Sequence, residues 1–331
     1  MNLLIITNNP QRASFRYRIG IYLPILREQG INCHVAKLPS GIFARLKLLN
    51  SAGNFDGVFL HKKILNFFDG FRLPRLKKKL IYDFDDAVMY SPNNPERDSS
   101  SHLGRFKRTI EMADMVIAGN SYLAEHAHKL NPNVEILPTG LDTDAYEKDY
   151  TRQGDGKIRL VWIGSGSTIE YLVQIRDALE EIGSRFNNVI LRIICDQFVH
   201  LRNIGIEQCT WSQQSQVKDL VTSDIGLAPL PDNRFTKGKC GFKILQYAAA
   251  SLPVIASPVG VNAEYVQEGI NGFLAESTSD WVEKISLLVE DLELRKKMGR
   301  ASRNEVGQFD VKVLAARLTD IIRKCLTDSN I

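Results

Sequence analysis

Lys239 and Lys243 stand four residues apart, Gln246 follows three later, and glycines occupy 238 and 241. On a helix opening at 242, Lys243 and Gln246 project to one side, with Lys239 just upstream. Ammonium groups beside the first N–H groups of a helix attract phosphate. A second group, Gly164-Ser165-Gly166-Ser167-Thr168, combines two glycines and three hydroxyls ahead of a helical pattern, the composition of a phosphate cradle. It supplies no cation of its own, and Lys239 and Lys243 are the residues expected to supply it. Ordinary surface lysines are the alternative.

Asp83-Phe-Asp85-Asp86 places three carboxylates within four residues, which repel unless a cation or a proton intervenes. Three accounts stand open: a metal site, a structural role capping the next helix and pairing with Arg16 or Arg18, or acceptor contact in which Asp85 and Asp86 bear the chemistry, one of them as a base. Arg16 and Arg18 follow the turn after the first strand, and their forked donors suit a phosphate. Pairing with the aspartates is the competing use. Trp211 offers a flat ring for a nucleobase, or a core filler.

These residues need a frame that brings strand ends together. Short apolar runs at 2–7, 31–38, 57–60, 79–82 and 115–118, bounded by polar turns and separated by helical patterns, read as parallel strands with crossover helices. The same rhythm resumes at 158–163, 189–195 and 223–230 and ends with a strand at 253–256. The loop leaving that last strand, with Gly260, Val261, Asn262 and Glu264, lies where open α/β sheets bind ligands. Glu264 also suits a helix dipole. The polar stretch 149–156 reads as a linker, so the expected domains are 1–150 and 156–310. No glycine fingerprint of the dinucleotide kind follows the first strand.

The run from Phe242 to Ser257, then Gly260-Val-Asn-Ala-Glu264 and Glu268-Gly-Ile-Asn-Gly-Phe-Leu274, resembles the donor-site signature of glycosyltransferase family 4, and the likeness extends through most of the chain. It implies an α/β chain of GT-B fold, two Rossmann-like doubly wound domains facing across a cleft, retaining and working without a metal. The second domain would hold a nucleoside-diphosphate sugar through Gly164–Thr168, Trp211, Lys239, Lys243, Gln246, Gly260, Val261, Asn262 and Glu264. The first would hold the acceptor, with Asn120 on a cleft-lining loop beside Arg16 and Arg18; helix capping is the plainer use of Asn120. The final helix, 311–331, would cross back onto the first domain. The chain departs from the family at one pair of positions: two glutamates with seven residues between them are replaced by Gly238 and Gln246.

The chain has 331 residues, 44% apolar and 24% charged, enough for two globular cores. It carries no run of about eighteen uncharged apolar residues and no basic leader with a cleavage site, so a cytoplasmic protein, working at the inner face of the membrane, is expected. Cysteines 33, 195, 209, 240 and 325 are scattered and never spaced as CxxC, which reads as reduced thiols. Net charge is +4, but residues 1–108 hold 18 Lys and Arg against 8 Asp and Glu, an excess of +10. That asymmetry points to peripheral contact with an anionic membrane or to a lipid-diphosphate acceptor, and the absence of a reading module argues against nucleic acid. A solvated lysine face near 77–79 is the alternative.

The expected activity is transfer of a hexose or related sugar from a nucleoside-diphosphate sugar to an acceptor hydroxyl, with retention, in cell-surface polysaccharide or glycolipid assembly. No cofactor is expected beyond the co-substrate. The rivals are a non-catalytic sugar-nucleotide or carbohydrate-binding partner and an epimerase or phosphorylase of the same fold.

Overall fold

The computed structural model describes residues 1–73, 78–147, 150 and 154–327. The chain divides into two compact units. Met1–Leu141, Asn233–Cys240 and Phe309–Ile331 make up the first, and Asp142–Asp232 with Gly241–Gln308 the second. Half of the linker expected at 149–156 lies outside the described residues. The division falls nearer 141 because Arg303 donates to the Thr143 carbonyl and pairs with Glu147 at 2.8 Å, fastening that segment within the second unit.

In the first unit the chain runs β1 (Asn2–Thr7), α1 (Ala13–Arg18), α2 (Leu23–Glu28), β2 (Asn32–Lys37), α3 (Ile42–Ser51), β3 (Gly57–His61) and α4 (Phe67–Arg72). It continues through β4 (Lys79–Phe84), α5 (Ser100–Met112), β5 (Met115–Ala118), α6 (Ser121–His128) and β6 (Val134–Ile136). All strand pairs are parallel, in the order β2-β1-β3-β4-β5-β6. Successive residues of a strand point to opposite faces. Leu4 and Ile6 therefore join a core with Leu60, Tyr82 and Phe106, while Leu3 and Ile5 join another with Phe59, Ile81 and Leu26. The last helix of the chain (Val311–Thr327) closes that second face through Leu314, Leu318 and Ile322.

The second unit runs β7 (Ile158–Ile163), α7 (Ile169–Val173), α8 (Arg176–Arg185), β8 (Val189–Cys195), β9 (Gly205–Thr210), α9 (Gln216–Val221) and β10 (Ile225–Ala228). After these come α10 (Phe242–Ala249), β11 (Val254–Ala256), α11 (Asn262–Tyr265), β12 (Gly272–Leu274), α12 (Thr278–Glu290) and α13 (Leu292–Glu305). Its sheet, also parallel, is ordered β12-β11-β10-β7-β8-β9. Apolar runs buried on both faces are what an all-parallel sheet requires. Trp162 fills one face with Leu191 and Trp281, and Val161 fills the other with Ile244 and Tyr247.

Candidate functional site

Ligands of open α/β sheets gather outside the carboxyl ends of strands, where the winding direction reverses. In the second unit the reversal lies between β7 and β10, strands that pair directly. Tyr247, fully buried, spans this point: its hydroxyl donates to the Leu227 carbonyl of β10 at 3.0 Å and accepts from the Ile163 N–H of β7 at 3.2 Å. The ring leaves no room for a side chain at Gly226, whose Cβ would lie 2.5 Å from it. Tyr247 thereby pins α10 over the strand tips. One turn earlier on the same helix sits Lys243.

The Lys243 ammonium lies 5.3 Å from the centroid of the Trp162 indole, and that indole is packed so closely under the loop after β7 that any Cβ at Gly164 would strike it. The structure thus brings Lys243 and Gly164 to one place. Burial of Trp162 and the electron-rich ring face both favour a cation there. α10 can open where it does because Gly241 takes φ +62, and its Cβ would meet Val261 at 2.8 Å and Tyr265 at 2.9 Å.

The loop Gly164–Thr168 is folded on itself. Ser165 and Ser167 hydroxyls hydrogen-bond at 2.9 Å, the Thr168 hydroxyl donates to the Ser165 carbonyl at 3.0 Å, and the Gly166 N–H donates to Asp196 at 2.7 Å. The Cys195 thiol and the Gly166 N–H hold Asp196 below its ordinary pKa, so it is charged at neutral pH. Sequence reasoning missed Asp196 as an occupant of this loop; its place directly after the β8 apolar run was the available signal. The other expected donor residues divide into two kinds. Gly260, at φ +54, and buried Val261 lead into α11, where Glu264 is exposed on the first turn. Asn262 is buried, and its amide donates to the Ala228 carbonyl of β10 at 3.4 Å.

Gln246 and Trp211 take structural partners. Gln246 is 4% exposed, with its amide nitrogen 3.4 Å from Gln216 and 3.5 Å from the Tyr146 hydroxyl. The Trp211 indole N–H donates to Gln216 at 3.1 Å, at the tip of β9 on the edge of the sheet. The Gln246 amide, expected as a ribose contact, thus lies buried in the structure with these two partners.

Lys239 also has a different setting from the one expected. Its segment, Asn233–Cys240, belongs to the first unit. There the Lys239 carbonyl accepts from Asn120 at 3.0 Å, and its ammonium is 3.3 Å from Asp86 and 4.7 Å from the Phe235 ring centroid. At Gly238 a Cβ would fall 2.7 Å from Ala87 Cβ and 2.8 Å from Ala87 N, so a side chain there requires the Ala87 segment to shift.

The first unit reverses its winding between β1 and β3, and the residues at those two tips touch: Thr7 Oγ1 lies 3.2 Å from His61 Nδ1. His61 is 2% exposed, its Nε2 has no hydrogen-bond partner, and burial pushes its pKa below the ordinary value despite Asp83 and Asp85 nearby. It is a neutral imidazole at pH 7. Lys62, next in the chain, adopts φ +57, an unusual conformation for a side chain of its kind, costing on the order of 1–3 kcal/mol. That backbone turn carries its ammonium to Asp85, at 3.1 Å, and to Asp86.

Burial alone would release the Lys62 proton, but the two carboxylates outweigh it and hold the ammonium above its ordinary pKa. In return, burial opposes ionisation of Asp85 while Lys62, helped by Arg18, overcomes it and brings the carboxyl down to about 2. A general base is most effective with a pKa near the working pH. Asp85 held so low suits fixed negative charge better than proton abstraction. Sequence reasoning missed His61 and Lys62, although both lie immediately past an apolar strand, at the tip where such folds collect function.

Arg18, expected either to hold a phosphate or to pair with the aspartates, takes Asp83 as its partner. It is 1% exposed, grips Asp83 with Nε at 3.0 Å and Nη2 at 2.7 Å, and donates through Nη1 to the Leu137 carbonyl. Asn120 is likewise buried, accepting from the Leu123 N–H at 2.9 Å to cap α6 while its amide holds the Lys239 carbonyl. Arg16 is half-buried, its guanidinium 6.0 Å from the Tyr17 ring centroid. Among the described residues no cluster of three or more His, Cys, Asp or Glu side chains is arranged to hold a metal, and no helix is long and apolar enough to cross a membrane.

Comparison with known proteins bears on both units. Residues 198–305 match the family model described as glycosyl transferases group 1. Across 252 residues the chain is 25% identical to N-acetyl-alpha-D-glucosaminyl L-malate synthase of Bacillus anthracis, covering 70% of this chain and 64% of that one, so it spans less than two thirds of that relative's length. HepE from Anabaena, solved in complex with UDP and glucose, superposes with a TM-score of 0.76 at 16% identity over 98% of this chain and 100% of that one. A glycosyltransferase from Rickettsia africae gives a TM-score of 0.74 at 16% identity, covering 99% of each chain. These structures share the fold.

Proposed function

We propose that this chain, a GT-B protein whose residues 198–305 belong to glycosyl transferases group 1, moves a sugar from a nucleoside-diphosphate sugar to an acceptor hydroxyl. The observation that carries the reading is Tyr247 pinning α10, inside the segment that matches the family, at the reversal point of the second sheet, which sets Lys243 above Trp162 beside the glycine loop. Departure of a nucleoside diphosphate needs positive charge already in place, since reorganising it during the reaction would forfeit the gain. Lys243 is the residue assigned that task. Gly260 and Val261 would let main chain approach the sugar, and Glu264 would meet its hydroxyls.

The first unit would carry the acceptor. Asp86, half-exposed between Lys62 and Lys239, and Arg16 are the side chains left to meet it once Arg18 and Asn120 are assigned to structure. With Asp85 held ionised by Lys62, the reading needs no dedicated protein base. In a front-face reaction the departing phosphate would accept the acceptor's proton, with retention, as expected of a family 4 enzyme. UDP-hexoses are the first donors to try, because HepE was solved with UDP-glucose. A lipid-linked or glycan acceptor of surface-polysaccharide assembly fits the basic first unit, at the membrane's inner face.

The second reading is a binding protein that lost catalysis. It draws on Gly166 donating to Asp196 rather than standing open and on Gln246 being buried. Incubation with a panel of sugar nucleotides separates the two. Release of nucleoside diphosphate by the wild-type chain, abolished in Lys243→Ala at unchanged melting temperature, supports the enzyme; thermal stabilisation by a sugar nucleotide without turnover, across all acceptors tried, supports the binder.

A further inference from the structure

Helices α3, α4 and α5 form one continuous surface of the first unit. Arg45 on α3 pairs with Asp69 on α4 at 2.8 Å, Arg72 on α4 donates to Asn50 on α3 at 3.1 Å, and the Arg108 guanidinium of α5 lies 5.7 Å from the Phe67 ring centroid on α4. Gly70 permits this last approach, since a Cβ there would run into Arg108. What the three helices present outward is unusual for a water-facing surface.

Phe43 is 89% exposed, Phe67 73%, Phe68 62% and Phe71 55%, with Ile42 beside Phe43 at 67%. All exposed phenylalanines among the described residues lie on α3 and α4, the helices that the Arg45–Asp69 and Arg72–Asn50 contacts join. Phe67 and Phe71, one helical turn apart, stack on each other with centroids at 6.5 Å instead of turning inward. Scattered single apolar residues need no explanation, but a contiguous group does.

Charge narrows the partner. The three helices hold six Lys and Arg against two Asp and Glu, a net +4. Of the two acids, Asp69 is buried against Arg45 and Glu111 is paired with Lys107. Lys63, immediately ahead of α4, is pushed below its ordinary pKa first by burial and then by Arg45 and Arg105, with Asp69 opposing. Phenyl rings at the level of lipid headgroups with cations meeting lipid phosphates are the two halves of interfacial binding. A second copy of the same chain would set two like-charged surfaces against each other, since a two-fold contact pairs a patch with itself.

We propose that the surface of α3, α4 and α5, centred on Phe43, Phe67 and Phe68, docks the protein onto an anionic lipid bilayer. The inference rests on the membrane placement in the proposed function and gives it a surface, and it can fail while sugar transfer stands, because this face holds none of the residues assigned to the donor or the acceptor.

The test is co-sedimentation of the full chain with vesicles of phosphatidylcholine alone and of equal parts phosphatidylcholine and phosphatidylglycerol. Binding to the anionic vesicles is expected to exceed binding to the neutral ones by about tenfold or more at low salt and to weaken as salt is added. The triple variant Phe43→Ser, Phe67→Ser, Phe68→Ser is expected to lose about tenfold or more in partitioning, with an unchanged far-ultraviolet dichroism spectrum and unchanged nucleotide-induced stabilisation. Arg105→Glu with Lys47→Glu supplies a second route, expected to weaken anionic binding while leaving the phenylalanines in place. Failure of the wild-type chain to sediment with anionic vesicles, or sedimentation that neither variant alters, overturns the proposal. So does a wild-type dimer in sedimentation velocity that the triple variant converts to monomer, which would identify the surface as a contact between copies.

Discussion

The two units have six parallel strands each, yet their sheets are wound differently, and their reversal points hold opposite chemistry. Counted within the unit, the first sheet begins 2-1-3, whereas the second reads 3-2-1-4-5-6. At the first reversal point strong charges meet their opposites: Arg18 with Asp83, Lys62 with Asp85 and Asp86, Lys239 with Asp86. At the second there is a lysine over an aromatic ring, a glycine-bearing loop and main chain held by a tyrosine. Equal architecture leaves function to the tip residues. Carboxylates pinned by cations make a fixed electrostatic frame, and a cation set over an indole makes a seat for an anion.

Breaking the frame should cost folding and breaking the seat should cost chemistry. The largest effect is expected from Arg18→Ala, which leaves Asp83 charged and buried without its partner; a loss of about 3–5 kcal/mol in urea unfolding is expected. Measured loss near zero would mean that the first reversal point is solvated and the contrast drawn here is false. Lys243→Ala is expected to leave the melting temperature almost unchanged and to cut turnover about 100- to 1,000-fold, or roughly 3 kcal/mol in the barrier. Equal turnover would remove the seat from the second unit.

Lys62→Met sharpens the comparison through pH. Asp85 has an ordinary value of 3.8 and is brought to about 2 in the folded chain, so its contribution is complete above pH 4 and lost as pH falls toward 2. Without Lys62, burial dominates and the carboxyl shifts upward, so the variant should be less stable at pH 7 and should lack this decline between pH 4 and 2. Acid titrations of wild type and variant that superimpose would refute the pairing. The smallest effect is expected from Gly238→Ala, whose methyl would press on Ala87, at about 1 kcal/mol or somewhat more. No loss of stability would show that the glycine has some other reason.

The membership of the segment 233–240 shows where sequence reasoning stops. Lys239 and Lys243 are near neighbours in the chain and read as one cationic pair, yet Asn120, Asp86 and Ala87 hold Lys239 in the first unit, whereas Gly241 turns the chain into α10 of the second. Arg18 could be placed near the aspartates from its position after β1, but not assigned to Asp83 over Asp85 or Asp86. That choice follows from β3 and β4 lying side by side with Lys62 at the intervening tip. Gln246 had the spacing of a ligand-facing residue and is in the core, because the helix faces inward by the turn that Tyr247 sets.

Local patterns sufficed for the apolar strands, the parallel class, the glycines that open α10 and the likeness to glycosyltransferases, since each depends on residues a few positions apart. Strand order, the two reversal points, the partner of each charge and the exposed phenylalanines of α3 and α4 were decided only by the tertiary structure. Those depend on which distant segments pack together, and burial, which turns a charge into a fixed ion pair or a phenyl ring into an outward anchor, is a property of that packing and of no short stretch of chain.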